Sequence, residues 1–261
     1  MMKRKITMLK MKRIQQIKEY ILKNQSVSLD DLVETFDVSK NTIRRDVQKL
    51  VNEGHIQKVY GGVAANHAKL EAFQDRQIRN QAQKRLIARE AASWVKDGDV
   101  IFIDSGTTTL ELIHFIHNKQ VTVVTNNVDF IVQAMPYKQL QVISTGGQLE
   151  RKTKSFSNYS IAEELNLYNF DKVFMASTGV SISNGVTNSS PVETTMKELV
   201  VKKGRDVFLL VDHTKFDKYA MVTYCGLNEI DYLITDDPLN TQYVNFIEQN
   251  DIKLIVATDK E

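Results

Sequence analysis

The segment VSKNTIRRDVQK concentrates side chains that can form hydrogen bonds with the edges of bases. Arg44 and Arg45 supply guanidinium groups, and Asn41 and Gln48 supply amides within the same stretch. Arginine can bind guanine in bidentate fashion, asparagine or glutamine can bind adenine, and lysine can neutralise phosphates. Because the apolar residues between them recur at helical spacing, these polar groups share the outward face of one helix.

The elements around this segment are three predicted helices. Isoleucines at helical spacing predict a first helix over 12–24, and Ser28 is expected to cap a short second helix that ends near Asp37. Ser39 is expected to begin the third helix, and Gly54 to end it. Two short helices joined by a tight turn, the second with arginine and amide side chains outward, fit helix-turn-helix geometry.

A wing is expected directly after the third helix. HIQKVYGGVA alternates around a turn at Gly61 and Gly62, which predicts two antiparallel strands. Residues 1–62 carry a net charge of +6 and the remainder −4, so a polyanion partner is expected for the first part only. The alternative is a helical hairpin with a solvated charged face. The candidate DNA contacts are Ser39, Lys40, Asn41, Thr42, Arg44, Arg45, Gln48, Lys58, Tyr60, Gly61 and Gly62.

The remainder of the chain predicts an α/β domain. Seven short apolar runs alternate with helical patterns, which indicates a mostly parallel sheet covered on both faces. The runs are VIFID, VTVVT, LQVIS, KVFMA, DVFLLVD, YLIT and KLIVA. The expected organisation is a winged helix-turn-helix domain over 11–64, a partly helical connector over 65–83, and an α/β domain over 84–261.

Composition sets the compartment and the class of protein. A length of 261 residues suits two domains, and 42% apolar with 25% charged residues is ordinary globular composition. The single cysteine, Cys225, cannot form an intrachain disulfide, and no apolar run approaches the length of a membrane span. The expected location is therefore the reducing cytoplasm.

A second group of polar residues follows the first apolar strand, in VIFIDSGTTTLELI. Ser105–Thr109 stand where a predicted helix begins, and there free N–H groups and the helix dipole favour an anion such as phosphate. The alternative is that Thr107 or Thr108 merely caps the helix. The loop lacks the Gly-Lys-Ser/Thr ending of a Walker A loop and the GxGxxG dinucleotide fingerprint, so nucleoside triphosphates are not expected.

Other polar loops also follow predicted strands. In open parallel sheets ligands bind at the carboxyl ends of the strands, so these loops are expected to converge. They contain Thr125, Asn126 and Asn127, then Gly146 and Gly147, then Thr178 and Gly179, then Asp212 and Lys215. Glu193 and Lys197 stand four apart on a predicted helix, where the plain interpretation is a surface ion pair.

These motifs together resemble a known family. VSKNTIRRDVQKLVNEGHIQKVYGGV closely resembles the winged helix-turn-helix signature of the DeoR-type bacterial transcriptional regulators. The resemblance continues through DGDVIFIDSGTTTLEL, VTVVTNN, STGG and VDHTKF, so it covers nearly the whole chain. Lys58 and Tyr60 stand where the family usually carries Arg and His, and Ser177 and Thr178 depart from its usual Gly-Ala/Cys pair.

The resemblance implies a sensor domain similar in fold to ribose-5-phosphate isomerase that binds a phosphorylated sugar or polyol without converting it. It places Glu193 and Lys197 in the effector pocket. The implied effector residues are Asp104, Ser105, Gly106, Thr107, Thr108, Thr109, Asn126, Gly147, Glu193, Lys197, Asp212 and Lys215. No cofactor is expected. His114 and His117 lack the partners that a metal site needs.

The expected function is that of a sequence-specific regulator that represses a sugar-utilisation operon and responds to this effector. One winged helix offers few contacts, so a homo-oligomer, dimer or tetramer, is expected on operator DNA. Two alternatives stay open at this point. One is a sugar-phosphate isomerase or deaminase with an accessory basic domain, because the predicted crevice holds acid/base-capable groups. The other is general nucleic-acid binding without sequence preference.

Overall fold

The chain forms two compact units, Met1–Ala68 and Lys69–Glu261. The computed structural model describes residues 2–24, 26–52, 56–65, 73–158 and 161–259. The predicted helix stop at Gly54 lies outside these residues. The domain limits drawn from the sequence stay a prediction. Two helices begin within the stretch predicted to be a connector, at Phe73 and Gln81.

The first unit consists of three helices and a small antiparallel sheet. Its elements are α1 (Met2–Asn24), β1 (Ser26–Ser28), α2 (Leu29–Phe36), α3 (Lys40–Asn52), β2 (Ile56–Val59) and β3 (Gly62–Ala65). The strand order is β1-β3-β2, so the wing gains a strand that the sequence pattern did not predict. Three residues are too few to show alternation. The first helix also begins earlier than predicted, because its opening lysines, arginines and methionines are good helix formers.

The two predicted helix starts of the first unit are confirmed. Ser28 Oγ accepts a hydrogen bond from Asp31 N at 3.0 Å, and Asp31 Oδ2 accepts one from Ser28 N at 3.1 Å, which forms a capping box. Ser39 Oγ accepts a bond from Thr42 N at 3.3 Å at the start of α3. The side chains that α1, α2 and α3 turn inward form one core with the wing: Ile14, Ile17, Ile21, Leu32, Ile43, Val47, Leu50, Ile56 and Val63.

The two wing glycines are required for different structural reasons. Replacing each by alanine is therefore expected to destabilise the first unit by a different amount. A Cβ on Gly62 would lie 2.2 Å from Val27 O of β1, whereas Gly61 has φ +79° with open space around it. Gly62→Ala is expected to destabilise the first unit by about 1–3 kcal/mol through overpacking, and Gly61→Ala by about 1 kcal/mol through backbone strain. Hydrogen exchange of the α1 and α3 amides measures both. Equal protection in the two variants would contradict the steric argument.

The second unit is built around strands that alternate with helices. Its elements are α4 (Phe73–Ile78), α5 (Gln81–Ala92), β4 (Val100–Ile103), α6 (Thr107–Leu110), α7 (Ile113–Ile116), β5 (Val121–Thr125), α8 (Val128–Ala134), β6 (Leu140–Ser144), β7 (Gln148–Glu150), β8 (Ser155–Ser157), α9 (Ile161–Leu165), β9 (Phe170–Met175), β10 (Gly179–Ser181), β11 (Gly185–Asn188), α10 (Pro191–Lys203), β12 (Gly204–Leu210), β13 (Val222–Cys225), β14 (Tyr232–Thr235), α11 (Thr241–Gln249) and β15 (Lys253–Val256). Two short 3-10 turns lie at His213–Lys215 and Leu227–Glu229.

The prediction of a parallel sheet covered on both faces is confirmed. The seven predicted strands form one sheet in the order β15-β14-β12-β9-β4-β5-β6, and all of their pairings are parallel. Along β4, Phe102 belongs to one hydrophobic cluster, and Ile101 and Ile103 belong to the other. The chain runs outward from β4 to β6 and then returns to the other side of β4. This reversal between β4 and β9 is the switch point where open sheets bind ligands.

Three features of the second unit depart from the sequence pattern. The predicted single helix over TTLELIHFIH is two short helices, because Glu111 N and Leu112 N bond carbonyls three residues back and tighten the chain. A two-stranded hairpin, β7 and β8, and a three-stranded sheet, β10-β11-β13, were not predicted. Strands of three or four residues are too short to be recognised by period.

Candidate functional site

The first candidate site is the outward face of α3. Ile43, Val47 and Leu50 are buried, while Arg44 and Arg45 are exposed. Asp46 of the same helix is fully buried, and its Oδ2 accepts bonds from the Arg13 guanidinium of α1 at 2.8 Å. This ion pair fixes the rotation of α3 about its axis, so the two neighbouring arginines point away from the core.

The start of α3 carries the other predicted DNA contacts. Asn41 is exposed, and the Ser39 and Thr42 hydroxyls lie 2.9 Å apart, so both take part in the helix cap. Lys40 Nζ forms an ion pair with Asp30 Oδ1 of α2 at 2.6 Å. The cap and the ion pair orient the first turn of α3 without covering its arginines.

The wing lies beside α3 and completes a groove with it. Tyr60 at its tip is fully exposed, and Lys58 on β2 is exposed. The groove is lined by Leu29, Asp30, Lys40, Arg44, Arg45, Val47, Gln48, Lys58, Val59, Gly61, Gly62 and Val63. Four of these side chains are cationic and one is acidic, which gives the surface a positive charge suited to a nucleic-acid backbone.

The second candidate site lies at the switch point of the large sheet. Asp104 follows β4, and its Oδ2 accepts a bond from Ala176 N of the loop after β9 at 3.0 Å. The same oxygen forms an ion pair with Lys197 Nζ of α10. Asp104 is 0% and Lys197 4% exposed, and Asp104 Oδ1 has no hydrogen-bond partner among the described residues. A buried charged pair therefore lies at the switch point, and its lysine lines a cleft.

The plain interpretation of Glu193 and Lys197 as a surface ion pair is wrong. Both side chains are buried, and Lys197 pairs with Asp104 instead. Glu193 Oε1 accepts a bond from Ser155 Oγ of β8 at 2.6 Å, and the Thr153 and Ser155 hydroxyls are 2.6 Å apart. The unpredicted β7 and β8 hairpin thus supplies one wall of the cleft.

The cleft brings together part of the predicted effector set. It is lined by Arg76, Ser105, Gly106, Thr153, Ala176, Ser177, Thr178, Asn188, Ser189, Ser190, Glu193 and Lys197. Ser177 and Thr178, the residues that depart from the family pattern, are therefore cleft residues. Asn188 Nδ2 is buried without a partner among the described residues. The lining offers hydroxyls, an amide, one carboxylate and two cations.

The loop after Asp104 is closed by its own hydrogen bonds. Thr109 Oγ1 accepts a bond from Gly106 N at 3.0 Å and lies 2.6 Å from Asp104 O, to which it donates. The capping role considered for Thr107 or Thr108 therefore falls to Thr109, whose hydroxyl is fully buried. A Cβ on Gly106 would lie 2.2 Å from Ala176 Cβ, so only glycine fits there.

Asp212 and Lys215 belong to a second charged cluster at the same edge of the sheet. Thr214 N donates to Asp212 Oδ1 at 2.9 Å, and Thr214 Oγ1 donates to the same oxygen. Burial raises the pKa of Asp212, but the bonds from Thr214 and the charge of Lys215 outweigh it, so the net pKa is lowered. Burial lowers the pKa of Lys215, against the attraction of Asp212.

Lys84 of α5 completes this second cluster. It is 3% exposed and donates to Arg79 O at 2.6 Å and to Arg76 O. Burial lowers the pKa of Lys84 to about 8, although Asp212 attracts its charge. The cluster therefore holds two lysines whose charge is costly without an anion nearby.

Four further residues of the predicted effector set do not line the cleft. Thr107 and Thr108 are buried within α6, and Gly147 is exposed at φ +106°, where a Cβ would lie 2.4 Å from Ser157 O. Asn126 is fully buried, and neither atom of its amide has a hydrogen-bond partner among the described residues. The backbone conformation of Gly147 and its close approach to Ser157 thus require glycine there without any ligand.

Lys84 and Arg76 were missed by sequence reasoning. Arg76 lies in the segment predicted to be a partly helical connector, and Lys84 directly follows that segment. Lys84 stands at helical spacing from Ile87, Ala88 and Ala91, so this periodicity could have placed it on the buried face of α5. No comparable signal exists for Arg76.

His213 gives the edge of this site a pH-dependent contact. Its Nδ1 lies 2.7 Å from Asp236 Oδ2, and this hydrogen bond raises the pKa of His213, against partial desolvation. A raised pKa stabilises the fold fully below the unfolded value near 6.5, and this contribution is lost as pH rises through the folded value. His213→Asn should therefore lower the free energy of unfolding at about pH 5 more than at about pH 8. Urea unfolding measures it, and a pH-independent difference would contradict the assignment.

Comparison with known proteins identifies the family. A model of the DeoR-like helix-turn-helix domain matches residues 13–69, and a model of the DeoR C terminal sensor domain matches residues 79–237. The chain belongs to the DeoR family. The winged unit is thus the DeoR helix-turn-helix domain, and the cleft lies in the DeoR sensor domain.

Relatives within the DeoR family match over nearly the full chain. The HTH-type transcriptional regulator IolR of Bacillus subtilis (strain 168) is 39% identical over 251 residues, covering 95% of this chain and 100% of that protein. The HTH-type transcriptional repressor GlcR of the same organism is 27% identical, covering 95% and 97%. The Lactose phosphotransferase system repressor of Staphylococcus aureus (strain MRSA252) is 30% identical, covering 87% and 92%.

The chain is therefore a DNA-binding transcriptional regulator of the DeoR family and not an enzyme. Ribose 5-phosphate isomerase A of Methanocaldococcus jannaschii is a distant structural neighbour, with 21% identity and a TM-score of 0.39 over 52% of this chain and 55% of that one. Among the described residues, no helix is long and apolar enough to cross a membrane, and no group of His, Cys, Asp or Glu side chains is arranged to hold a metal ion.

Proposed function

We propose that α3 lies in the major groove of operator DNA, with Arg44 and Arg45 bonded to base edges. Support comes from the exposure of both arginines, and from the ion pair of Arg13 with Asp46 that turns them outward. Lys58 and Tyr60 on the wing would then lie against the adjacent backbone or minor groove. Ser39 and Thr42 contribute by capping α3, and the start of the helix faces a phosphate.

The effector in this proposal is a phosphorylated sugar or polyol bound at the carboxyl end of the large sheet. The observation that carries it is the cleft at the switch point between β4 and β9, where Asp104 and Lys197 are buried together. Carboxylate, amide and hydroxyl groups suit the hydroxyls of a sugar. Arg76 and the nearby cluster of Lys84 and Lys215 offer positive charge for a phosphate.

Effector binding would act on DNA binding through the segment that follows the first unit. Arg76 lines the cleft and belongs to α4, which precedes the sensor sheet in the chain. A ligand that holds Arg76 would favour one arrangement of this segment over another. Coupling of about 1–3 kcal/mol shifts operator affinity roughly 5- to 150-fold.

Repression of a sugar-utilisation operon by a homo-oligomer completes the proposal. Relatives named as repressors, GlcR and the Lactose phosphotransferase system repressor, support the direction of regulation. Two DNA-binding heads are needed because operators are read as paired half-sites. A dimer is the minimum assembly that presents them.

The test is the melting temperature of the full chain against sugars and polyols, each supplied with and without its phosphate. Stabilisation by a phosphorylated member and not by its unphosphorylated match supports the proposal, because a ligand that binds only the folded state raises its stability. The variant with both Arg44 and Arg45 changed to alanine is the control and should respond equally. Stabilisation by unphosphorylated ligands alone would contradict it.

A further inference from the structure

The side-chain amide of Gln48 is engaged at both of its ends. Lys58 Nζ donates to Gln48 Oε1 at 2.5 Å, and Gln48 Nε2 donates to Asn52 Oδ1 at 2.7 Å. Gln48 and Asn52 lie one turn apart on α3, whereas Lys58 lies on β2. The three side chains therefore form a chain of hydrogen bonds from the last turn of the recognition helix to the wing.

This arrangement conflicts with a base-reading role for Gln48. A glutamine that reads adenine uses its carbonyl as acceptor and its NH2 group as donor toward one base edge. In Gln48 the carbonyl faces a cation of the wing and the NH2 group faces Asn52. Arg44 and Arg45 differ, because neither forms an ion pair with any residue that the structure describes.

We propose that Gln48 is a positioning residue that holds the wing at a set place beside the recognition helix, and that it does not read a base. Through Lys58 it fixes β2 relative to α3, so the wing contacts DNA in register with the arginines. Asn52 holds the Gln48 amide in the orientation that presents Oε1 to Lys58. These hydrogen bonds thus affect which bases are preferred at the base pairs next to those that α3 contacts.

The fold does not depend on this contact, so its role can be tested by substitution. Ile56 at the start of β2 is 2% exposed, and Lys58 pairs with Val63 across the hairpin. Strand β3 is held in turn by β1. Loss of the Gln48 side chain should therefore leave the wing folded but less closely held. The Lys58 ammonium keeps further N–H groups for phosphate in either case.

The experiment is a double-mutant cycle on full-length protein. The probe is the duplex that the unaltered chain selects from a random-sequence library. Gln48→Ala is expected to bind it about threefold to tenfold more weakly, the range of a single partly exposed hydrogen bond. Lys58→Met should be weaker still, and the double variant no weaker than Lys58→Met alone. In a protein that carries Lys58→Arg, which keeps a donor, Gln48→Ala should still weaken binding.

A second readout separates positioning from base reading. Selection repeated with Gln48→Ala should keep the preferred bases at the centre of each half-site and lose preference at the flanking base pairs. Gln57→Ala on the same strand is the matched control, and it should show no coupling to Lys58. The proposal would be overturned if the losses of affinity in Gln48→Ala and Lys58→Met multiplied in the double variant. It would also be overturned if Gln48→Ala lost preference at one central base pair alone.

Discussion

Replacing Arg44 or Arg45 by alanine is expected to weaken operator binding by about 1–3 kcal/mol, roughly 5- to 150-fold, with little change in stability. Both side chains are exposed on α3, so the folded unit loses no packing. A bidentate guanidinium contact with guanine discriminates between base pairs, whereas a phosphate contact does not. The loss should therefore be larger on the selected duplex than on an unrelated one.

Fluorescence anisotropy with both duplexes at one fixed salt concentration measures this effect. Arg151→Ala, an exposed arginine between β7 and β8 in the sensor domain, is the matched control and should bind normally. Unchanged operator affinity in both Arg44→Ala and Arg45→Ala would remove α3 from the major groove. An equal loss on both duplexes would reassign the arginines to phosphate contacts.

Replacing Lys197 by methionine is expected to destabilise the sensor domain by about 3–5 kcal/mol. Asp104 is completely buried, and the change would leave its carboxylate without the opposite charge that it faces. Asp104→Asn should be destabilising for the converse reason, because it leaves the Lys197 ammonium unpaired. The variant with both changes should recover much of the loss, because no buried charge is then uncompensated.

Trp94 provides a probe that reports on the sensor domain alone, because the chain has a single tryptophan and it packs on Phe208 and Tyr232 there. Urea unfolding followed by its fluorescence measures each variant. Arg205→Met is the control, since Arg205 pairs with Asp171 at the surface and should cost less than about 1 kcal/mol. A Lys197→Met variant as stable as this control would contradict a buried charged pair.

The same variants separate stability from ligand binding. If Asp104 and Lys197 hold the effector, the doubly changed chain should regain stability but lose the thermal response to a phosphorylated sugar. A response that survives would place the ligand at the cluster of Lys84, Asp212 and Lys215 instead. Either result shows which of the two charged groups holds the ligand, and neither variant alters the DNA-binding residues.

Local patterns were sufficient for α3 and for the strands of the large sheet, but not for the β7 and β8 hairpin beside the cleft. The helical spacing of Ile43, Val47 and Leu50 predicted which face of α3 is exposed, and the structure confirms it. The seven apolar runs predicted the strands of the parallel sheet. In each case the decisive interactions are between residues a few positions apart, which a periodic pattern records directly.

Residue patterns alone were enough to predict the winged helix-turn-helix, the alternation of strands and helices, and the family that the comparisons bear out. The partners of the buried charged groups are visible only in the folded chain. Asp104 meets Lys197, Arg13 meets Asp46, and Ser155 meets Glu193 across tens of residues. The contacts of Asp104 and Glu193 depend on strand order and on the packing of α10, and the contact of Arg13 with Asp46 depends on the packing of α1 against α3. No short-range period encodes such packing. A buried charge is predictable as a residue type, but its partner is a property of the assembled fold.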